Sequence, residues 1–194
     1  LMGAVNQRAI ARMEPNVTRL VDALLEEMAA KREVNFIDEF AARIPIEVIG
    51  NLLCIPHEER GPLRGWSVAI LSGLEPKLTP GMLAAGNRAV TEFIDYLKGL
   101  VAARRKKPGD DETDVLTRLI RGEQDGASLT EKELYHQCIF LLNAGHETTT
   151  NLIGNGVWAL LERPRELARL RADPSLVPSA IEEMLRYDGP IQLN

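Results

Sequence analysis

Apolar residues recur at three- and four-residue intervals through most of the chain, the spacing that places them on one face of an α-helix. Val17, Leu20, Val21, Leu24, Leu25 and Met28 form the first such face, predicting a helix over 15–31 with Pro15 in its first turn. A second helix is predicted over 37–53, kinked at Pro45 by loss of a backbone donor and stopped by Ile55-Pro56. Leu63, Trp66, Ile70 and Leu71 predict a third over 58–72, which runs into the turn-rich Ser72-Gly73-Leu74-Glu75-Pro76. Thr79-Pro80 is a cap and first-turn signal for a helix carrying Val90, Phe93, Ile94, Leu97 and Val101 as far as Arg105. A short helix is predicted over 113–121, followed by a polar loop over 122–128.

The longest pattern covers 130–162. Thr130 with Glu133 three residues later reads as a capping box and Arg163-Pro164 as a stop, so the span predicts one helix of roughly 50 Å at ~1.5 Å per residue. Its middle is polar: Asn143-Ala144-Gly145-His146-Glu147-Thr148-Thr149-Thr150-Asn151. Glycine and β-branched threonine each cost up to ~1 kcal/mol relative to alanine inside a helix, so something must compensate. Threonine hydroxyls that bond back to the carbonyl one turn earlier bend a helix, and the opened ladder leaves room for a small ligand or water. Beyond this span, 164–171 and 178–187 read as short amphipathic helices separated by Asp173-Pro174. The turn Asp188-Gly189-Pro190 then leads into Ile191-Gln192-Leu193, which looks like the start of a strand. The expected fold class is mainly α with little or no β, in a single domain over 1–194.

Composition narrows the function classes. With 45% hydrophobic and 26% charged residues, a net charge of -5 and a pI near 5.3, the balance is that of a soluble globular chain and offers no footprint for nucleic acid. The basic run Arg104-Arg105-Lys106-Lys107 abuts Asp110-Asp111-Glu112 and reads as a helix end followed by a solvated linker. No apolar run approaches the ~18 residues of a membrane span, and a cytoplasmic location is expected. Cys54 and Cys138 stand in apolar surroundings without the close pairing of a metal knuckle, so both are expected to be reduced, buried thiols. The chain begins at Leu1, so a segment upstream is expected.

The candidate chemistry lies in the long pattern. His146-Glu147 would open a zinc helix if a second histidine stood four residues on, but that position is Thr150. Glu133 and His136 make one E-x-x-H pair without the second that a di-iron bundle needs, and no metal site is predicted. What remains is an acid beside an alcohol, Glu147-Thr148, at a glycine-loosened point. Phe140, Ala144 and Thr148 share one stripe of the helix; Asn143, Glu147, Asn151 and Asn155 share the next. Two readings stand: one stripe faces a flat cofactor and substrate while the other relays protons, or the second is a satisfied polar seam.

Ala144-Gly145-His146-Glu147-Thr148-Thr149 resembles the A/G-G-x-D/E-T-T signature of the central helix of cytochrome P450 monooxygenases, and Glu183-Met184-Leu185-Arg186 matches that family's E-x-x-R further on. Tyr187-Asp188-Gly189-Pro190 is similar to the residues that come after E-x-x-R in soluble bacterial members. The resemblance implies a P450 fold, here partial, with haem against the long helix. Ala144, Gly145 and Thr148 would lie on its oxygen side, with Glu147 and Thr148 as the proton-delivering pair. Phe140, Asn143, Ala144, Pro190 and Ile191 would border the pocket of a small apolar organic substrate. Glu183 and Arg186 would form a buried structural ion pair that ties this helix to a later segment near the haem. Electrons would come from a separate ferredoxin-type partner.

The family's cysteine loop, F-x-x-G-x-x-x-C-x-G, is absent after Arg186 in this chain, and neither Cys54 nor Cys138 stands in that pattern. The expectation is therefore the middle part of a monooxygenase that activates O2 and hydroxylates its substrate. The alternative is a catalytically inactive, truncated helical binding or interaction module that self-associates through uncovered surface.

Overall fold

The computed structural model describes residues 7–109, 114–121 and 129–191, and these hold eight α-helices and no strand. They are α1 (Gln7–Ala29), α2 (Arg43–Leu52), α3 (Gly61–Ser72), α4 (Pro80–Lys106), α5 (Val115–Arg121), α6 (Glu131–Leu161), α7 (Pro164–Ala172) and α8 (Val177–Tyr187). No helix among the described residues is long and apolar enough to cross a membrane. The polar loop expected over 122–128, the acidic residues 110–112 and the second and third residues of the expected strand lie outside the described residues. Ile191, the first of that strand, is in no regular element.

Capping chemistry sets the ends of the two longest helices. Thr79 accepts a hydrogen bond from the Met82 amide at the start of α4. At α6 the capping box is complete: Thr130 Oγ1 accepts from the Glu133 amide at 3.3 Å, and Glu133 accepts from the Thr130 amide at 2.8 Å. The Thr130 hydroxyl, which also donates to Glu133 Oε2 at 2.7 Å, and the Thr130 amide together hold the Glu133 carboxyl below the usual carboxylate range.

Prolines act differently from the expectation at two places. Helix α1 starts eight residues before Pro15 and runs through it. A proline removes one bond from a helix of 23 residues, and Met13 on the upstream turn packs against the core, which holds that turn in place. Pro45, conversely, does not kink a continuous helix. A π-helical segment, Ile37–Ala41, precedes α2, with the Ala42 amide donating five residues back to Ile37 O at 2.9 Å. Pro45 falls in the first turn of α2, where backbone donors have no intrahelical acceptor to lose.

The core gathers Leu53, Ile55, Leu63, Phe93, Leu97, Val101, Val115, Leu116 and Leu142, all fully buried. Helices α3 and α4 pair closely: Trp66 stacks on Phe93 at 5.1 Å between centroids and donates its indole N–H to Glu92. Gly86 of α4 makes room for that approach, since a Cβ there would stand 3.1 Å from Ala69 O. Helix α6 crosses the molecule, touching α2, α3, the π segment, α7 and α8.

Cys54 departs from the expectation of a buried thiol, being half-buried, whereas Cys138 is buried. It has φ 49°, the left-handed region, and ends α2 in the position that glycine usually fills. The Cys54 amide donates to Asn51 O and the Ile55 amide to Gly50 O, which is the two-bond closure of a Schellman end. Arg60 locks this end by donating to Ile55 O and pairing with Glu47, and its guanidinium occupies the space a side chain at Gly50 would need.

Candidate apolar groove and polar turn

The polar middle of α6 stays α-helical without interruption, so the expected opening of the ladder does not occur. The threonine back-bonds do form: Thr148 Oγ1 donates to Ala144 O at 2.6 Å and Thr150 Oγ1 to His146 O at 2.9 Å. Gly145 is explained by packing. A Cβ on it would lie 3.1 Å from Ile49 Cδ1, so the glycine lets α6 close on α2.

Beside this crossing lies an open apolar groove of about 450 Å³ between α2 and α6. Pro45, Val48, Ile49 and Leu52 form one wall, and Phe140, Leu141, Ala144, Gly145 and Thr149 the other. Three of the expected site residues, Phe140, Ala144 and Gly145, are thus brought together on one surface, with Phe140 57% exposed. Thr148 is not among the lining residues; its neighbour Thr149, which sequence reasoning passed over, is. The repeated threonines were the available signal, since a one-residue step along the helix turns the side chain by about 100°.

The second stripe is mostly a satisfied seam. Asn151 Nδ2 donates to Pro190 O at 3.5 Å and Asn155 Nδ2 to Asp188 O at 3.3 Å, so these asparagines dock the turn after α8 onto α6. Pro190 is half-buried there and Ile191 is 59% exposed. Glu147 is half-buried, and burial, reinforced by the negative charge of Glu75 in the α3–α4 loop, pushes its carboxyl above the usual range.

The three histidines divide. His57 is exposed beside Glu47, His136 is exposed, and His146 is buried with Nδ1 3.0 Å from Ser67 Oγ of α3. Burial, with the positive charge of Arg64 nearby, lowers the His146 pKa to about 4. Neither E-x-x-R partner is buried: Glu183 and Arg186 form a two-bond pair at 2.6 and 2.7 Å, with side chains 59% and 70% exposed. The spacing puts both on one turn of α8, and nothing among the described residues covers them. Glu183 also lines a second groove, of about 360 Å³, between the end of α6 and helices α7 and α8, where Arg163 stacks on Tyr187.

The cysteines decide how far these residues suit a thiolate-ligated haem. The groove offers an apolar wall for a flat macrocycle, but no thiolate faces it. Burial pushes the Cys138 thiol up to about 12 and the Cys54 thiol up to about 11; Cys54 Sγ donates to Asn51 O, and neither residue lines the groove. The residues present fit the wall and not the iron ligand.

The longest helix thus carries the acid-alcohol pair Glu147-Thr148 beside an apolar groove. The family model for cytochrome P450 matches residues 74–180. Cytochrome P450 107B1 of Saccharopolyspora erythraea is 42% identical over 97% of this chain and 44% of its own length. The cytochrome P450 monooxygenase PikC of Streptomyces venezuelae is 39% identical over 95% of this chain and 43% of its own length. Among solved structures, P450BioI, in complex with an acyl carrier protein bearing hexadec-9Z-enoic acid, superposes with a TM-score of 0.89 at 34% identity, over 95% of this chain and 47% of that one. The chain belongs to the cytochrome P450 family, as a partial P450 spanning a little under half the length of these relatives.

Proposed function

We propose that this chain supplies the oxygen-side wall and proton-delivering pair of a monooxygenase that hydroxylates a small apolar organic substrate. The observation that carries the reading is the Ala144–Thr149 turn. Ala144, Gly145 and Thr149 line the apolar groove, while Glu147, with its carboxyl held above the usual range, stands next to Thr148. A thiolate-ligated haem would supply the oxygen activation, and this chain's residues would contribute the apolar wall beside it and not the iron ligand. The chain's own part is to keep apolar surface around the substrate and to hold a proton. Burial raises the Glu147 carboxyl above the usual range, a direction that suits a general acid. Thr148 Oγ1 donates to Ala144 O and keeps its lone pairs free to accept from a neighbouring donor.

Phe140 and Ala144 on the groove, together with Asn143, Pro190 and Ile191, are assigned to the substrate side, and Glu183 with Arg186 to a structural role. A ferredoxin-type protein is the proposed electron donor, and the described residues are proposed to be part of one domain. In the whole protein, Thr148→Ala is expected to leave oxygen consumption running while product formation falls. Unchanged coupling between oxygen used and product formed would remove Thr148 from this role.

In a second reading this chain taken by itself is a helical module without catalysis, since neither of its own cysteines offers a thiolate to the groove. It predicts that the chain titrated with haem and reduced under carbon monoxide shows no thiolate-type band. Appearance of that band would refute it.

A further inference from the structure

Where α3 meets α6, the core holds polar atoms that the helices themselves do not satisfy. His146 is 2% exposed and Ser67 0%, and their Nδ1–Oγ contact joins the two helices. The other ring nitrogen, His146 Nε2, is buried with no hydrogen-bond partner among the described residues, and so is Asn143 Oδ1. These residues are three apart on α6, which puts their Cβ atoms about 5–6 Å from one another on adjoining positions of one face. Buried polar atoms are nearly always paired, so two orphans one turn apart point to a common partner.

We infer that Asn143 Oδ1 and His146 Nε2 form a binding site for a single hydroxyl oxygen, braced by Ser67 where α3 packs on α6. Carboxamide oxygen is an acceptor, so the partner must carry a proton, which rules out a ketone or an ether. The tautomer of His146 separates two sources of such an oxygen. If the Ser67 hydroxyl donates to Nδ1, Nε2 carries the ring proton; the bound oxygen then accepts from Nε2–H and donates to Asn143 Oδ1, which either water or an alcohol can do. If Nδ1–H donates to Ser67, Nε2 is an acceptor, and both orphans need a donor. Water has two protons to give and an alcohol has one, so only water fits that form.

Asn143 is assigned to the substrate side and Glu147 follows His146 directly, so an alcohol held here would be oriented by α6 itself. That extension to a substrate hydroxyl rests on the proposed monooxygenase reading, whereas the site does not.

The test uses the full chain with 15N-labelled histidine and asparagine. Ring-nitrogen shifts identify the His146 tautomer, and exchange-filtered NMR reads contact between the ring and a long-lived water. Such a water is expected at His146 and is expected to vanish in Asn143→Leu, a near-isosteric change that removes one of its two partners. Asn143→Val is the second variant should Leu disturb the fold, and cooperative thermal unfolding is checked for both. Cyclohexanol is then titrated, with cyclohexanone as the control that lacks an O–H. Displacement of the water by cyclohexanol but not by cyclohexanone, with affinity about tenfold weaker in Asn143→Leu, assigns the site to an alcohol group. A water that cyclohexanol leaves in place supports the site as one for solvent and counts against the substrate extension alone. Absence of both a bound water and cyclohexanol contact, or persistence of either in the Asn143 variants, overturns the inference.

Discussion

His146 shows how one residue in a motif can be set by a neighbour far away in the chain. Its imidazole is buried against α3, which lowers the pKa from 6.5 to about 4. Between those values the unfolded chain takes up a proton that the folded chain refuses. The stabilising contribution is therefore fully present above about pH 6.5 and is lost as pH falls toward 4. At ~1.4 kcal/mol per pKa unit the loss is on the order of 3 kcal/mol. His146→Gln, which does not titrate, should show a shallower fall in unfolding free energy between pH 7 and 4. Parallel curves for the two proteins would mean that His146 does not titrate differently on folding. Cys54 is a second such case, since its left-handed backbone follows from the closure of α2 and the Arg60 clamp, and nothing in its immediate sequence announces it.

Among the elements, the long helix was the most legible. Its capping box, its stop and the threonine back-bonds all follow from local rules and all form. The role of Gly145 was not legible, because a glycine reads alike whether it makes room for a ligand or for Ile49 of another helix. The same limit applies to Glu147, whose setting depends on a loop more than seventy residues earlier in the chain. Burial, with the negative charge of Glu75 at the tip joining α3 to α4 adding to it, holds the Glu147 carboxyl up, so Glu75→Gln should lower the Glu147 pKa. Carbon-detected NMR titration of the Glu147 carboxyl measures this, and an unmoved titration would show that burial alone is responsible. The E-x-x-R pair teaches the converse: i,i+3 spacing secures the ion pair between Glu183 and Arg186, but burial requires a covering element, and α8 presents both to solvent.

Across the whole molecule, α6 carries Phe140, Trp158 and Leu161 at 57%, 63% and 62% exposure, an uncovered apolar surface on the helix that organises the fold. Large exposed apolar side chains favour association, so the chain is expected to self-associate in sedimentation equilibrium, and Phe140→Glu to shift it toward monomer. A monomer at all concentrations would contradict this. The helical class, the order of the helices and the capped starts of α4 and α6 were determined by the sequence itself, because hydrophobic period and caps act over a few residues. So was the family, through two short motifs. Tertiary structure alone decided that Thr149 rather than Thr148 lines the groove, that Ser67 meets His146, and that Asn143 and His146 are left with unpaired buried atoms. Those outcomes depend on which helix packs on which face, and that choice is made by contacts between residues as far apart as Ser67 and His146, which no local pattern encodes.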